Sequence, residues 1–172
     1  PQLQLIKILK DKCGFTTLLC RAAVDKPLMQ EEENTLYELG GLVQFINDIN
    51  DLHKDSKQGI RNFSNGYSSI ADIKRALTEQ AILAFEELKK LPLPQKRLEN
   101  FLFVFHSFVI VTFTQLRHYE FICGGNYQLD RFLTLPYEKT KIRPYLRRNI
   151  QYSIPKMLRY NFRYPFENEP VG

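Results

Sequence analysis

Gln44, Asn47, Asp48, Asp51 and Asp55 bring amide and carboxylate oxygens together in one short stretch, Glu38-Leu39-Gly40-Gly41-Leu42-Val43-Gln44-Phe45-Ile46-Asn47-Asp48-Ile49-Asn50-Asp51-Leu52-His53-Lys54-Asp55. On a helix, at about 100° per residue, all five fall within an arc of roughly 100°. Leu42, Val43, Phe45, Ile46, Ile49 and Leu52 fill most of the remaining circumference, an apolar face too wide for a helix with one buried side. The carboxylates are therefore expected to point into the protein. Buried carboxylates are costly unless paired or metal-bound, and like charges this close raise one another's pKa. A divalent cation resolves both problems. Asn47, Asp51 and Asp55 stand at i, i+4 and i+8, about one helical turn apart. A few hard oxygens presented from one side suit Mg²⁺ that keeps some waters and completes its shell with phosphate. Asp48 would support this set. Gly40 and Gly41 each cost about 1 kcal/mol in a helix relative to Ala, which the close approach of a ligand in a cavity, or of a neighbouring helix, would justify. The competing reading is an ordinary acidic helix face turned to solvent.

The elements around this stretch all read as helices. Leu3 to Val24 forms a first helix with a weak point at Gly14, ended by the Lys26-Pro27 turn. The helix holding the key stretch begins near Glu31, Glu32 and Glu33, acids favoured in a first turn by the helix dipole. It is expected to run past Asp55 to about Gln58 and stop at Gly59. Lys54, Lys57 and Arg61 follow closely, and Ser64-Asn65-Gly66 marks a loop. That loop either covers a ligand or is a basic solvated connector. Ser69-Ile70-Ala71-Asp72 resembles a capping box that opens an amphipathic helix through Lys90. Leu91-Pro92-Leu93-Pro94 ends it, and Gln95 to Ile122 forms a long helix broken at Gly124-Gly125. The chain is thus expected to be all-α, without internal repeats.

With 172 residues, 44% hydrophobic and 13% aromatic, the chain can bury a core and is not disordered. Cys13, Cys20 and Cys123 include no C-x-x-C pair and fit neither a disulfide framework nor a zinc site. Small buried thiols in a reducing, cytoplasmic setting are expected. No signal peptide is expected from the residues given. Phe101 to Leu116 is the most apolar run, but it falls short of the ~18 residues a membrane span needs and reads as a buried helix. His53, His106 and His118 share no spacing or partner motif, so none is expected to be catalytic.

After Gly125 the composition changes, and residues 126–172 read as an extension of the helical part at 1–125. Arg131, Lys139, Lys141, Arg143, Arg147, Arg148, Lys156, Arg159 and Arg163 meet only Asp130 and Glu138 before Glu167. Such a tail can clamp phosphate or touch an anionic membrane. No nucleic-acid-binding motif is present.

Gln44-x-x-Asn47-x-x-x-Asp51-x-x-x-Asp55-x-x-x-Gly59, preceded by Leu39-Gly40, resembles the second aspartate-rich motif of squalene and phytoene synthases, within the class I isoprenoid synthases. Gln44-x-x-Asn47-Asp48-x-x-Asp51 is similar to the second motif of trans-prenyl diphosphate synthases, with Asn in place of the first Asp. Asn47, Asp51 and Asp55 also match the spacing of the terpene cyclase metal triad, whose middle member is usually Ser or Thr. Phe15-Thr16-Thr17 is similar to the prenyl synthase segment that carries a Lys-Thr pair near the diphosphate, with Phe15 where the Lys would be. The downstream Leu-Pro followed by Arg97 looks like squalene and phytoene synthases as well, and Arg159-Tyr160 and Arg163-Tyr164 resemble a diphosphate-sensing Arg-Tyr pair of terpene cyclases.

The resemblance implies a helical bundle of the isoprenoid synthase type in which two acidic motifs hold Mg²⁺ around one diphosphate and an apolar cavity shields the allylic cation. It implies Asn47, Asp48, Asp51 and Asp55 as metal ligands, Gln44, Lys57, Arg61, Thr16 and Thr17 around the diphosphate, and Gly40 and Gly41 at the cavity. No D-D-x-x-D or D-x-x-x-D run precedes Gly40. The expectation is therefore the C-terminal portion of a prenyltransferase or terpene synthase, without its N-terminal helices and inactive alone. Its partners would be a prenyl diphosphate, a second copy in a homo-oligomer, and a membrane met by the tail. The alternative is a non-catalytic helical module that uses the tail to bind a membrane or protein partner.

Overall fold

The structure, a computed structural model, describes residues 2–24 and 26–142. Among these residues there are seven α-helices and no strand: α1 (Gln2–Ala22), α2 (Gln30–Asn50), α3 (Leu52–Lys57), α4 (Ile70–Lys89), α5 (Gln95–Ile122), α6 (Leu129–Thr134) and α7 (Tyr137–Thr140). A 3₁₀ turn at Ser64–Gly66 joins α3 to α4. The all-α class follows. Most of the basic tail, including Arg143, Arg147, Arg148, Arg159-Tyr160 and Arg163-Tyr164, lies outside the described residues.

Helix α2 is the hub, packed by α1, α4 and part of α5. Leu39, Leu42, Phe45 and Ile49 on α2 are buried with Ile73, Leu77, Ala81 and Ala84 of α4 and Val109, Leu116 and Tyr119 of α5. Full burial of one such large side chain contributes about 1.5–3 kcal/mol. The paired glycines explain how α1 comes so close. A Cβ built on Gly40 would lie 2.8 Å from the Cys13 carbonyl and 2.9 Å from the Gly14 Cα. One on Gly41 would meet the Lys10 Cγ at 3.1 Å and the Gln80 Nε2 at 3.2 Å. Both positions are thus occupied by neighbouring helices, and the space beside each is not a ligand cavity. Lys10 Nζ and Gln80 Nε2 then converge on the Glu38 Oε2, at 2.8 and 2.7 Å, tying α1 and α4 to α2.

Local signals end the helices where the sequence leads one to expect. Ser69 Oγ accepts the Asp72 N–H at 3.1 Å and starts α4. Gly59 adopts φ +69°, and the Ile60 N–H returns to the Asp55 carbonyl at 2.9 Å. Gly124, at φ +72°, ends α5 in the same way, with the Gly125 N–H on the Glu120 carbonyl. This is the Schellman arrangement, which needs a left-handed residue just past the last turn.

Four expectations change. The helix carrying the key stretch does not run unbroken to Gln58, because it is interrupted at Asp51. There the carbonyls of Asp48 and Ile49 accept side-chain donors, Ser64 Oγ at 2.9 Å and Tyr119 OH at 3.0 Å, and side chains inserted into the backbone ladder bend a helix. Of the three thiols, only Cys123 is buried, whereas Cys13 is half-buried and Cys20 exposed. Helix α5 is long and apolar enough to cross a membrane by length and composition, yet much of its apolar part is not buried in the bundle. Its first half is not a buried helix: Leu102 and Phe105 pack on the core, while Phe101, Phe103, Val104 and Phe108 are exposed. Finally, packing does not change at Gly125. Tyr127 and Phe132 join the same core as Tyr119, and Ile142 is buried too. His53 Nε2, His118 Nε2 and Gln115 Nε2 bond the carbonyls of Leu135, Lys139 and Thr140 at 2.9, 2.8 and 2.6 Å, fastening this segment to the bundle.

Candidate metal and diphosphate site

The polar stripe of α2 divides into two sets. Asp48 is 3% exposed and spends both carboxylate oxygens: Oδ1 accepts the Gln44 Nε2 at 2.5 Å, and Oδ2 accepts the Phe63 backbone N–H at 2.7 Å. Asn62 organises the other side. Its Nδ2 donates to the Asp55 Oδ2 at 2.9 Å and to the Asp48 carbonyl at 3.3 Å. Its Oδ1 accepts the backbone N–H groups of Ser64 and Asn65 at 3.1 and 3.0 Å. The Ser64 hydroxyl lies 2.9 Å from the Asp48 carbonyl and 3.1 Å from the Asn62 Oδ1, so one proton serves both acceptors. Phe63 seals this knot by stacking on Phe45 at 4.0 Å between centroids.

The electrostatics follow from burial. Loss of solvent pushes the Asp48 carboxyl above its ordinary 3.8, against the lowering effect of the Phe63 N–H and the Gln44 amide, while the charge of Asp55 adds to the rise. Burial likewise raises the Tyr119 phenol, which donates to the Ile49 carbonyl. The hydrogen bonds make Asp48 the organiser of the 60–66 loop. Its oxygens are already occupied, so it is a poor candidate for direct metal binding.

Asn47 and Asp51 form the second set. Asn47 is exposed and Asp51 half-buried, and among the described residues no hydrogen bond or ion pair engages either side chain. Backbone bonds from Asp51 N–H to the Asn47 carbonyl and from Asp55 N–H to the Asp51 carbonyl, both 2.9 Å, keep these residues one turn apart across the interruption. Asp55 bridges the sets, since its Oδ2 is engaged by Asn62 while no bond is made to Oδ1. Among the described residues no three His, Cys, Asp or Glu side chains converge as a metal group. The oxygens left over are an amide and two carboxylates in a line. They can supply one side of a Mg²⁺ shell, with water and phosphate supplying the rest.

The remaining sequence-predicted residues scatter. Lys57 and Arg61 are exposed, with no partner among the described residues. Lys57 follows Asp55 by two positions and so sits roughly 160–200° around α3 from it. Lys54, a turn beyond Asn50, lies nearer the Asn47–Asp51 side. On α1, Thr16 is exposed and its hydroxyl donates to the Lys12 carbonyl at 2.7 Å. Thr17 donates to the Cys13 carbonyl at 2.9 Å and fills the α1–α2 contact beside Gly40. Phe15 packs edge-on against Tyr37 at 5.8 Å. All three histidines bond main-chain carbonyls, His106 to Leu102 at 2.7 Å. Asn62 and Ser64 are the residues that sequence reasoning missed. Asn62-x-x-Asn65-Gly66 is legible as a turn, but nothing in it signals which buried acid it will hold.

No protein-family model, curated protein or solved structure matches this chain.

Proposed function

We propose that this chain forms one wall of a Mg²⁺-dependent isoprenoid synthase of class I, acting on an allylic prenyl diphosphate. The observation that carries the reading is the division of the stripe. The buried knot takes Gln44 and Asp48, and leaves Asn47, Asp51 and one oxygen of Asp55 unspent. The fit to Mg²⁺ is that of a partial shell, and Asp48 moves from the ligand set to a positioning role. When bound, the metal would offset charge on the departing diphosphate. Asn47, Asp51 and Asp55 would hold it, and Lys54 and Arg61 lie close enough in sequence to contact the phosphate. A facing acidic motif would have to come from outside residues 1–172. A cytoplasmic protein that meets the membrane holding its apolar products fits this reading.

A second reading, a non-catalytic module that keeps the fold, is favoured by Phe15 in place of a phosphate-binding lysine and by the absence of a three-residue metal group among the described residues. Titration calorimetry separates the two. Pyrophosphate with Mg²⁺ should bind saturably when both are present, and Asp51→Ala should abolish that binding with the helical circular dichroism unchanged. Binding that is equal in the variant would remove the enzyme reading.

A further inference from the structure

Helix α5 offers a surface that the diphosphate reading does not use. Its second half is buried against α2 and α4, while in its first half Phe101, Phe103, Val104 and Phe108 are 48, 40, 45 and 52% exposed. Phe101, Val104 and Phe108 stand at i, i+3 and i+7, one continuous stripe. Large exposed apolar faces of this kind mark interaction sites.

Charge identifies the occupant. The corner between α4 and α5 carries Lys89, Lys90, Lys96 and Arg97, with no acid between Lys89 and Arg97. Lys89 and Lys90 pair with Glu86 and Glu87 at 2.7 and 2.6 Å. Lys96 and Arg97 are exposed and have no partner among the described residues. Both sit in the first turn of α5, which contains no acid, at the end where the helix dipole disfavours cations. The first following acid, Glu99, bonds Gln95 at 2.9 Å; it lies roughly 160° around the helix from Arg97 and one turn along from Lys96. Unpaired cations beside an exposed Phe-rich stripe match a bilayer interface, where phosphate headgroups take the charge and acyl chains take the rings.

We infer that the α4–α5 corner and the first half of α5 dock on an anionic lipid bilayer, with Lys96 and Arg97 at the headgroups and Phe101, Val104 and Phe108 below them. The helix lies in the interface and stays attached to the bundle through Phe113, Leu116 and Tyr119. This inference is independent of metal or diphosphate binding.

The chain contains no Trp, so F101W, and F108W further along the same stripe, act as unique fluorescent reporters. Vesicles of phosphatidylcholine with phosphatidylglycerol should shift their emission to the blue, and brominated acyl chains should quench it. Pure phosphatidylcholine should do neither. Adding K96E/R97E should lower partitioning by about 30-fold or more, from about 1 kcal/mol for each cation removed from an anionic surface. An F15W reporter on exposed α1 should stay unshifted. The inference is overturned if F101W and F108W do not respond to anionic vesicles, if K96E/R97E binds undiminished so that the contact lies elsewhere, if F15W shifts equally, or if the shift follows protein concentration without lipid, as self-association would make it.

Discussion

Asp48 gives both carboxylate oxygens to neighbours, one to the Gln44 amide and one to the Phe63 backbone, whereas Asp51, three residues on, gives neither. Their arcs overlap on an ideal helix, and both have apolar neighbours. What separates them is the chain that returns from α3, which brings Asn62, Phe63 and Ser64 against one edge of the stripe and leaves the other open. Burial of an acid is therefore not sufficient evidence for a ligand. A carboxylate satisfied by a main-chain N–H is a structural fastening, and chemistry is better sought in its unsatisfied neighbour.

The contrast can be broken first at Asp48. Asp48→Ala orphans the Phe63 N–H and opens the knot, and should cost about 3 kcal/mol, within the range for removing one partner of a buried charged hydrogen bond. Urea unfolding measures it, and a loss comparable to that of a surface substitution would show that the knot does not hold the loop. Gly40→Ala tests the seating of α2 that fixes which acid meets the loop. Its Cβ would overlap backbone of α1, and overpacking of this kind costs roughly 1–3 kcal/mol, visible as a lowered Tm.

A smaller effect concerns pH. Because burial raises the Asp48 pKa, the folded chain keeps that proton to higher pH than the unfolded chain does. Its contribution to stability therefore falls as pH rises from 3.8 through the shifted value, and is level above it. Asp48→Asn keeps an acceptor for Phe63 and removes the ionisation, so the stability difference between wild type and variant should decline across that window. Parallel curves would show that Asp48 titrates as an ordinary surface acid. His53 and His106 act in the opposite sense. Burial lowers their pKa, so their contribution is present above 6.5 and is lost as pH falls from there toward the lowered values. The smallest effect belongs to Asp51→Ala, whose stability should stay within about 0.5 kcal/mol of wild type, as for substitutions away from structural features. A large loss there would make Asp51 a structural residue like Asp48.

Local chemistry made much of the fold legible. Ser69 with Asp72, Gly59, and the Gly124-Gly125 pair each act through backbone geometry that neighbouring residues dictate, and each appears where expected. The paired glycines mark a close approach, of α1 at Gly40 and of both α1 and Gln80 of α4 at Gly41. What stayed hidden depends on contacts distant in sequence. The spacing of Asp48 and Asp55 cannot reveal Asn62, and the composition of residues 126–142 suggests an extension while Phe132 is wholly buried beside His53 and Tyr119. Apolarity misled for α5, because it is shared by helices that face a core and helices that face something else.

The three side chains that secure residues 135–140 grasp carbonyl oxygens, which every amino acid carries. The hold is on spacing along the chain and is indifferent to the identity of the residues it grips. Positions 135 and 139 should accept varied replacements, whereas inserting or deleting a single residue there would move all three oxygens out of reach together.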